Sequence, residues 1–258
     1  MVLPLPDAPE WLPVASTPSH LIAVRRRAGQ GTPILWVGGF RSDMMSTKAL
    51  ALDALAARLG HPMIRFDYAA HGESPGRFEE MTLSDWLLDT LTVIDTLGDT
   101  PPVIVGSSMG GWITLLAMRA RHRLGKAPAK ALVLIAPAVD FTEELMWKAF
   151  PESVKQKILA EGVYHQPSAY GAPYPITKKF IEDGRNHLMF GAPITPHAPV
   201  HILQGMKDPD VPVAHMQRLL DHMPEADVSV SYVKDGDHRL SRPEDLALLE
   251  RVVERLLS

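Results

Sequence analysis

The chain has 258 residues, 46% of them hydrophobic, and a formal charge of −4 with no basic stripe, so one sizeable core can form and nothing points to nucleic acid. It contains no cysteine, which excludes disulfides, thiolate metal sites and a cysteine nucleophile. No apolar run reaches the roughly 18–20 residues of a membrane-spanning helix, and Met1–Pro9 lacks the features of a signal or transit peptide, so the expectation is a cytoplasmic protein with an N-terminal arm laid over its surface.

The predicted elements begin with a partly exposed strand over His20–Arg27, closed by the turn signal Ala28–Gly31. A buried strand over Thr32–Val37 runs into Gly38-Gly39-Phe40. Thr47–Leu59 carries Leu50, Ala51, Ala54, Leu55 and Leu59 at helical spacing and stops at Gly60. Met63–Phe66 is a strand leading into the polar loop Asp67–Ser74. Thr82–Leu97 is an amphipathic helix. Val103–Val105 is a short β-branched strand, and a helix follows to Leu124. Strands over Ala131–Ala136, Val200–Leu203 and Val228–Val233 alternate with helices over Val213–Met223 and Pro243–Leu257.

Strands alternating with helices predict an α/β protein whose mostly parallel sheet is covered on both faces. The expectation is a single domain over residues 1–258. Its one long insertion, at about 137–198, is rich in Pro, Gly and aromatic residues and reads as a lid, with helix-like pieces near Phe141–Ala149 and Ser153–Glu161. Sites in such sheets lie at the carboxyl ends of the strands, where Phe40, Ser108, Asp208 and His238 all fall.

Gly106-Ser107-Ser108-Met109-Gly110 fits G-x-S-x-G between a strand and a helix. A nucleophile at the tip of a sharp turn needs small residues two before and two after it, because the strand and helix backbones approach closely there. The plainer reading is a tight turn that happens to hold a serine. A serine hydroxyl needs a base, and the base needs a carboxylate to hold its tautomer. In the order nucleophile, acid, base, Asp208 follows the Val200–Leu203 strand and His238 follows the last strand. Asp210 and Asp140 are reserve acids. His215 and His222 read as surface residues, and His71 sits in a loop that could line the site. His197 and His201 straddle a loop-to-strand junction, so they make a poor metal pair. No metal or cofactor is expected. The Met109 amide at the helix start and the Phe40 amide after the two glycines are the expected oxyanion donors.

Gly39–Met44 with Thr47–Leu50, Arg65–Tyr68, Gly106–Trp112, Gly205–Asp208 and Asp237–Arg239 together resemble the α/β-hydrolase superfamily, and within it the acyl-glucuronide esterase and mitochondrial palmitoyl-protein thioesterase type. The resemblance runs from about Pro33 onward. It implies a serine hydrolase with Ser108, Asp208 and His238 as triad, acting on small-molecule or acylated-protein esters or thioesters. No mitochondrial targeting segment is expected from Met1–Pro9, and there the expectation departs from that type. Gly39 and the lid residues Trp147, Tyr164 and Met189 are expected to contact substrate, with Leu145, Met146 and Phe150 beside them in an apolar acyl pocket. Ordinary lid packing accounts for the same lid residues. A non-catalytic ligand binder on this fold, or a cofactor-free lyase or haloperoxidase-like enzyme, are the alternatives.

Overall fold

The computed structural model describes residues 8–16, 18–168 and 171–258. Most of the predicted N-terminal arm therefore lies outside the described residues. Ten strands alternate with seven α-helices among them: β1 (Glu10–Val14), β2 (His20–Arg27), β3 (Ile34–Val37), α1 (Thr47–Leu59), β4 (Met63–Phe66), α2 (Leu83–Asp95), β5 (Val103–Ser107), α3 (Met109–Arg123), β6 (Ala131–Ile135), α4 (Glu152–Glu161), β7 (Val163–Ser168), β8 (Gly171–Thr177), α5 (Lys178–Arg185), β9 (Val200–Gly205), α6 (Val213–Asp221), β10 (Val228–Val233) and α7 (Pro243–Leu257). Eight of the strands form one sheet in the order β1-β2-β4-β3-β5-β6-β9-β10. Pairing is parallel from β4 to β10 and antiparallel for β1–β2 and β2–β4.

The central strands are buried on both faces, which explains their unbroken apolar character. Ile34, Trp36, Val103, Val105, Val133 and Ile135 point to one side, where Leu52 and Leu55 of α1 and Leu249 and Val253 of α7 cover them. Leu35, Val37, Ile104, Leu132 and Leu134 point to the other, against Trp86 and Val93 of α2 and Trp112 and Leu116 of α3. The two-residue period of a strand makes this division.

The helix signals have local causes. α1 ends at Gly60, whose left-handed backbone (φ 74°) lets its N–H reach the Ala56 carbonyl. α2 opens with a capping box in which Thr82 and Asp85 each take the other's backbone N–H.

Between β6 and β9 the chain makes a π-helical turn (Thr142–Trp147), α4, the β7–β8 hairpin and α5 before returning to the sheet. The two helix-like pieces predicted there are the π-helical turn and α4. The hairpin, α5 and the edge strand β1 were not expected from sequence.

Candidate active site

Ser108 stands between β5 and α3 with φ 54° and ψ −118°, a conformation strained for a residue with a side chain. Its backbone is fixed on three sides: its N–H donates to Ile135 O (2.8 Å), and its carbonyl accepts from Gly111 N (2.9 Å) and Ala138 N (3.1 Å). A Cβ at Gly106 would lie 2.6 Å from both Gly110 O and Thr114 Oγ1, and one at Gly110 would run into the carbonyls of Val37 and Gly38. Both glycines are required by backbone contact.

The serine hydroxyl lies 3.0 Å from His238 Nε2, and His238 Nδ1 lies 2.8 Å from Asp208 Oδ2. A carboxylate only accepts, so Nδ1 carries the proton and Nε2 is left to accept from Ser108. The Asp208 side chain is fully buried, with its second oxygen accepting from Asp210 N (2.9 Å) and Val211 N (2.8 Å). Gln204, also buried, braces this turn by donating to Gly205 O and Val211 O, both at 3.0 Å. The reserve acid Asp210 lends its amide to Asp208, and the carboxylate hydrogen-bonded to His238 Nδ1 is that of Asp208.

Asp140, the other reserve, is buried and used elsewhere. Its carboxylate takes the N–H groups of Met189 (2.8 Å) and Phe190 (2.9 Å), clamping the chain as it leaves the insertion, and burial raises its pKa. His215 is not a surface residue: it is buried, with Nε2 2.8 Å from the Val139 carbonyl, and burial lowers its pKa. His222 is half-buried and pairs with the carbonyls of Arg218 and Phe190. His201 lies between Ser229 and Ser231, whereas the His197 ring stacks on His122, so the two do not share a ligand. Asp208, Asp210 and His238 do bring three possible ligand atoms within 4.8 Å of one another, but the first and last are already joined by their hydrogen bond.

The loop after β3 runs against the elbow. A Cβ at Gly39 would sit 3.2 Å from Ser107 O and 3.4 Å from Ser108 Cβ, which puts Gly39 and Phe40 beside the serine. Among the described residues, neither Phe40 N–H nor Met109 N–H has a protein acceptor. Two unpartnered donors next to a serine, one of them at a helix N-terminus, suit a developing negative oxygen.

Phe40's ring is packed among Phe78 (5.3 Å), Phe180 (5.4 Å), Phe141 (5.7 Å), Trp86 (5.9 Å) and Tyr174 (5.9 Å). Three of these, Phe141, Tyr174 and Phe180, come from the insertion and were not singled out by sequence. Tyr174, between Pro173 and Pro175, also lies under the Arg41 guanidinium at 4.5 Å. Of the expected contact residues, Trp147 stacks with Arg185 (5.0 Å), Tyr164 packs on Phe150 (6.2 Å), and Met189 is buried beside the Asp140 clamp. Sequence reading also missed Lys48. Its ammonium, with its pKa brought down by burial to about 8, donates to the Arg239 carbonyl and ties α1 to the His238 loop.

Residues 31–248 match the model of the alpha/beta hydrolase family. The human mitochondrial palmitoyl-protein thioesterase ABHD10 is 35% identical over 97% of this chain and 84% of its own length. The structure of a candidate hydrolase from Agrobacterium vitis S4 superposes with a TM-score of 0.92 at 39% identity, covering 99% of this chain and 100% of that one. Mouse alpha/beta hydrolase domain-containing protein 10 superposes with a TM-score of 0.84 at 32% identity, covering 96% of this chain and 98% of that one. With its sheet order and relatives in agreement over nearly the full length, the chain belongs to the alpha/beta hydrolase family and is a hydrolase.

Proposed function

We propose that the protein is a serine hydrolase that cleaves acyl esters or thioesters through an acyl-serine intermediate. The observation that carries this reading is the chain of hydrogen bonds Ser108 Oγ, His238 Nε2 and Nδ1, Asp208 Oδ2 at a strained elbow. Ser108 Oγ attacks the acyl carbonyl while its proton passes to His238 Nε2. The carbonyl electron pair moves onto oxygen, where the Phe40 and Met109 amides donate to it. Collapse breaks the bond to the leaving alkoxide or thiolate, which takes the proton from His238. Water then gives a proton to His238, attacks the acyl-serine, and releases the acid with Ser108 restored. Asp208 holds the imidazole tautomer and stabilises its charged form.

The human relative's name supports a thioester among the substrates, and the aromatic side chains from the insertion around Phe40 support an apolar acyl group. Residues 137–198 read as a lid of the same domain, because the chain leaves β6 and returns to β9, which pair directly. The test is an acyl ester and thioester panel of graded chain length with wild type and Ser108→Ala, together with a serine-directed phosphonate probe. Hydrolysis and labelling by wild type only are expected. Turnover by folded Ser108→Ala near the wild-type rate would remove the serine from the mechanism.

A further inference from the structure

The loop after β4 was read in sequence only as polar and near the site. In the structure its residues hold the loop after β3 at three successive points. Tyr68 Oη donates to Gly38 O (2.9 Å), Arg41 N–H donates to His71 Nε2 (3.1 Å), and Met44 N–H donates to Asp67 Oδ1 (2.7 Å). The middle contact falls on the residue after Phe40. Arg41 has φ 56°, so this turn is strained and needs an external hold. On the other side of Phe40, the Gly39 carbonyl accepts from Ser42 N at 3.1 Å. Both peptide groups flanking Phe40 are therefore pinned, one by the turn itself and one by His71.

His71 is built for this task. It is buried, and its ring lies among Trp86 (4.9 Å), Tyr68 (5.3 Å) and Phe78 (5.3 Å). Nδ1 lies 3.2 Å from the Ala69 carbonyl, which can only accept, so Nδ1 bears the proton and Nε2 is free to accept from Arg41. The surrounding charges do not invite a second proton. Arg41 adds a nearby positive charge, while the nearby carboxylates are occupied, Asp67 with Met44 and Glu73 and Asp89 with Ala69 and His20. Burial, with a smaller push from Arg41, brings the ring's pKa down to about 4, so it remains a neutral acceptor at ordinary pH.

Resting on the serine-hydrolase reading above, we propose that His71 is a positioning residue for catalysis: by accepting the Arg41 N–H it holds the Gly39–Arg41 turn in the shape that presents the Phe40 amide to the developing oxyanion. A residue acting this way changes the transition state more than substrate binding. The contact it supports is worth about 10²–10³ in kcat in related donor deletions.

The experiment compares wild type, His71→Phe, His71→Gln and Ser108→Ala for kcat, KM and affinity for a trifluoromethyl ketone that forms a tetrahedral oxyanion. Phe keeps the ring bulk without an acceptor, and Gln keeps an acceptor near the Nε2 position. His71→Phe is expected to lose about 10²-fold in kcat and a similar factor in ketone affinity, with KM within about threefold. His71→Gln is expected to recover most of both. A folded His71→Phe with normal kcat and ketone affinity, a loss confined to KM, or a Gln variant as impaired as Phe would overturn the proposal. If His71→Phe does not fold, ¹⁵N-histidine spectra of the wild type decide. Protonated Nδ1 with acceptor Nε2 at pH 7 is expected, and the opposite tautomer or a cationic ring overturns it. An active Ser108→Ala would instead remove the underlying reading, whereas an inactive Ser108→Ala beside a normal His71→Phe removes this inference alone.

Discussion

Asp208 and Asp140 each follow the end of a buried strand, and sequence order alone leaves both able to serve His238. Their surroundings separate them. Asp208 offers one oxygen to the His238 ring and the other to two backbone amides, whereas Asp140 spends its carboxylate on the amides of Met189 and Phe190. Asp208→Asn should therefore keep the fold and lower kcat by about 10⁴ through the wrong imidazole tautomer. Asp140→Asn should leave kcat within severalfold and cost about 1–3 kcal/mol of stability, since one of the two oxygens that share the Met189 and Phe190 N–H groups becomes an NH2 donor beside them. Steady-state kinetics and urea melts on the two variants check this, and the reverse pattern would move the acid to the earlier strand. The placement of Ser108 beside His238 was legible in the order of the motifs and in the glycines flanking the serine. His71, Lys48 and His215 were not, because each acts through a backbone group, and a backbone partner leaves no mark in residue type.

The helices with clear ends, α1 with its Gly60 stop and α2 with its capping box, were legible to within a few residues. The insertion was less so. Pro167, Pro173 and Pro175 fall inside β7 and β8 and mask a strand pattern, although an isolated two-stranded hairpin tolerates them at its open edges. Pro13 does the same for β1, which lies at the edge of the main sheet. α5 was missed because it is only eight residues long and contains Gly184. That glycine is explained by the π-helical turn it packs against, since a Cβ there would meet Thr142 Oγ1 and lie 2.9 Å from Thr142 Cβ. Helix propensity alone favours Gly184→Ala by roughly 1 kcal/mol. The close approach should reverse the sign and give a net loss of about 1–3 kcal/mol. A thermal melt in which Gly184→Ala is stabilised would show that α5 is not held against that turn.

Across the whole molecule, burial of titratable groups couples the fold to pH in opposing directions. Burial raises the carboxyls of Asp67 and Asp89 to about 6, so in the folded state they hold protons that the unfolded chain has already lost. Their contribution to stability is complete below the unfolded value near ~3.9 and is lost as pH rises through 6. His71 runs the other way. Its folded pKa of about 4 lies below the value near 6.5 of a free imidazole, so its contribution is present above pH 6.5 and is lost as pH falls toward 4. The alternation of strands and helices made the parallel sheet legible, but it carried no sign of these three groups: Asp67 and His71 bond across to the loop after β3, and Asp89 on α2 takes the Ala69 N–H of the loop after β4. The stability of the wild type against pH mixes all of them. The difference between wild type and His71→Gln isolates one, because glutamine keeps the acceptor and does not titrate. That difference should shift against the wild type as pH falls from about 6.5 to 4, by about 3 kcal/mol over the full window. Urea melts of both proteins at pH 7.5, 6, 5 and, where they remain folded, 4.5 measure it. A difference that stays flat across this range would mean that the His71 ring titrates alike in the folded and unfolded chain, and that the hold on Arg41 is not the work of a buried neutral imidazole.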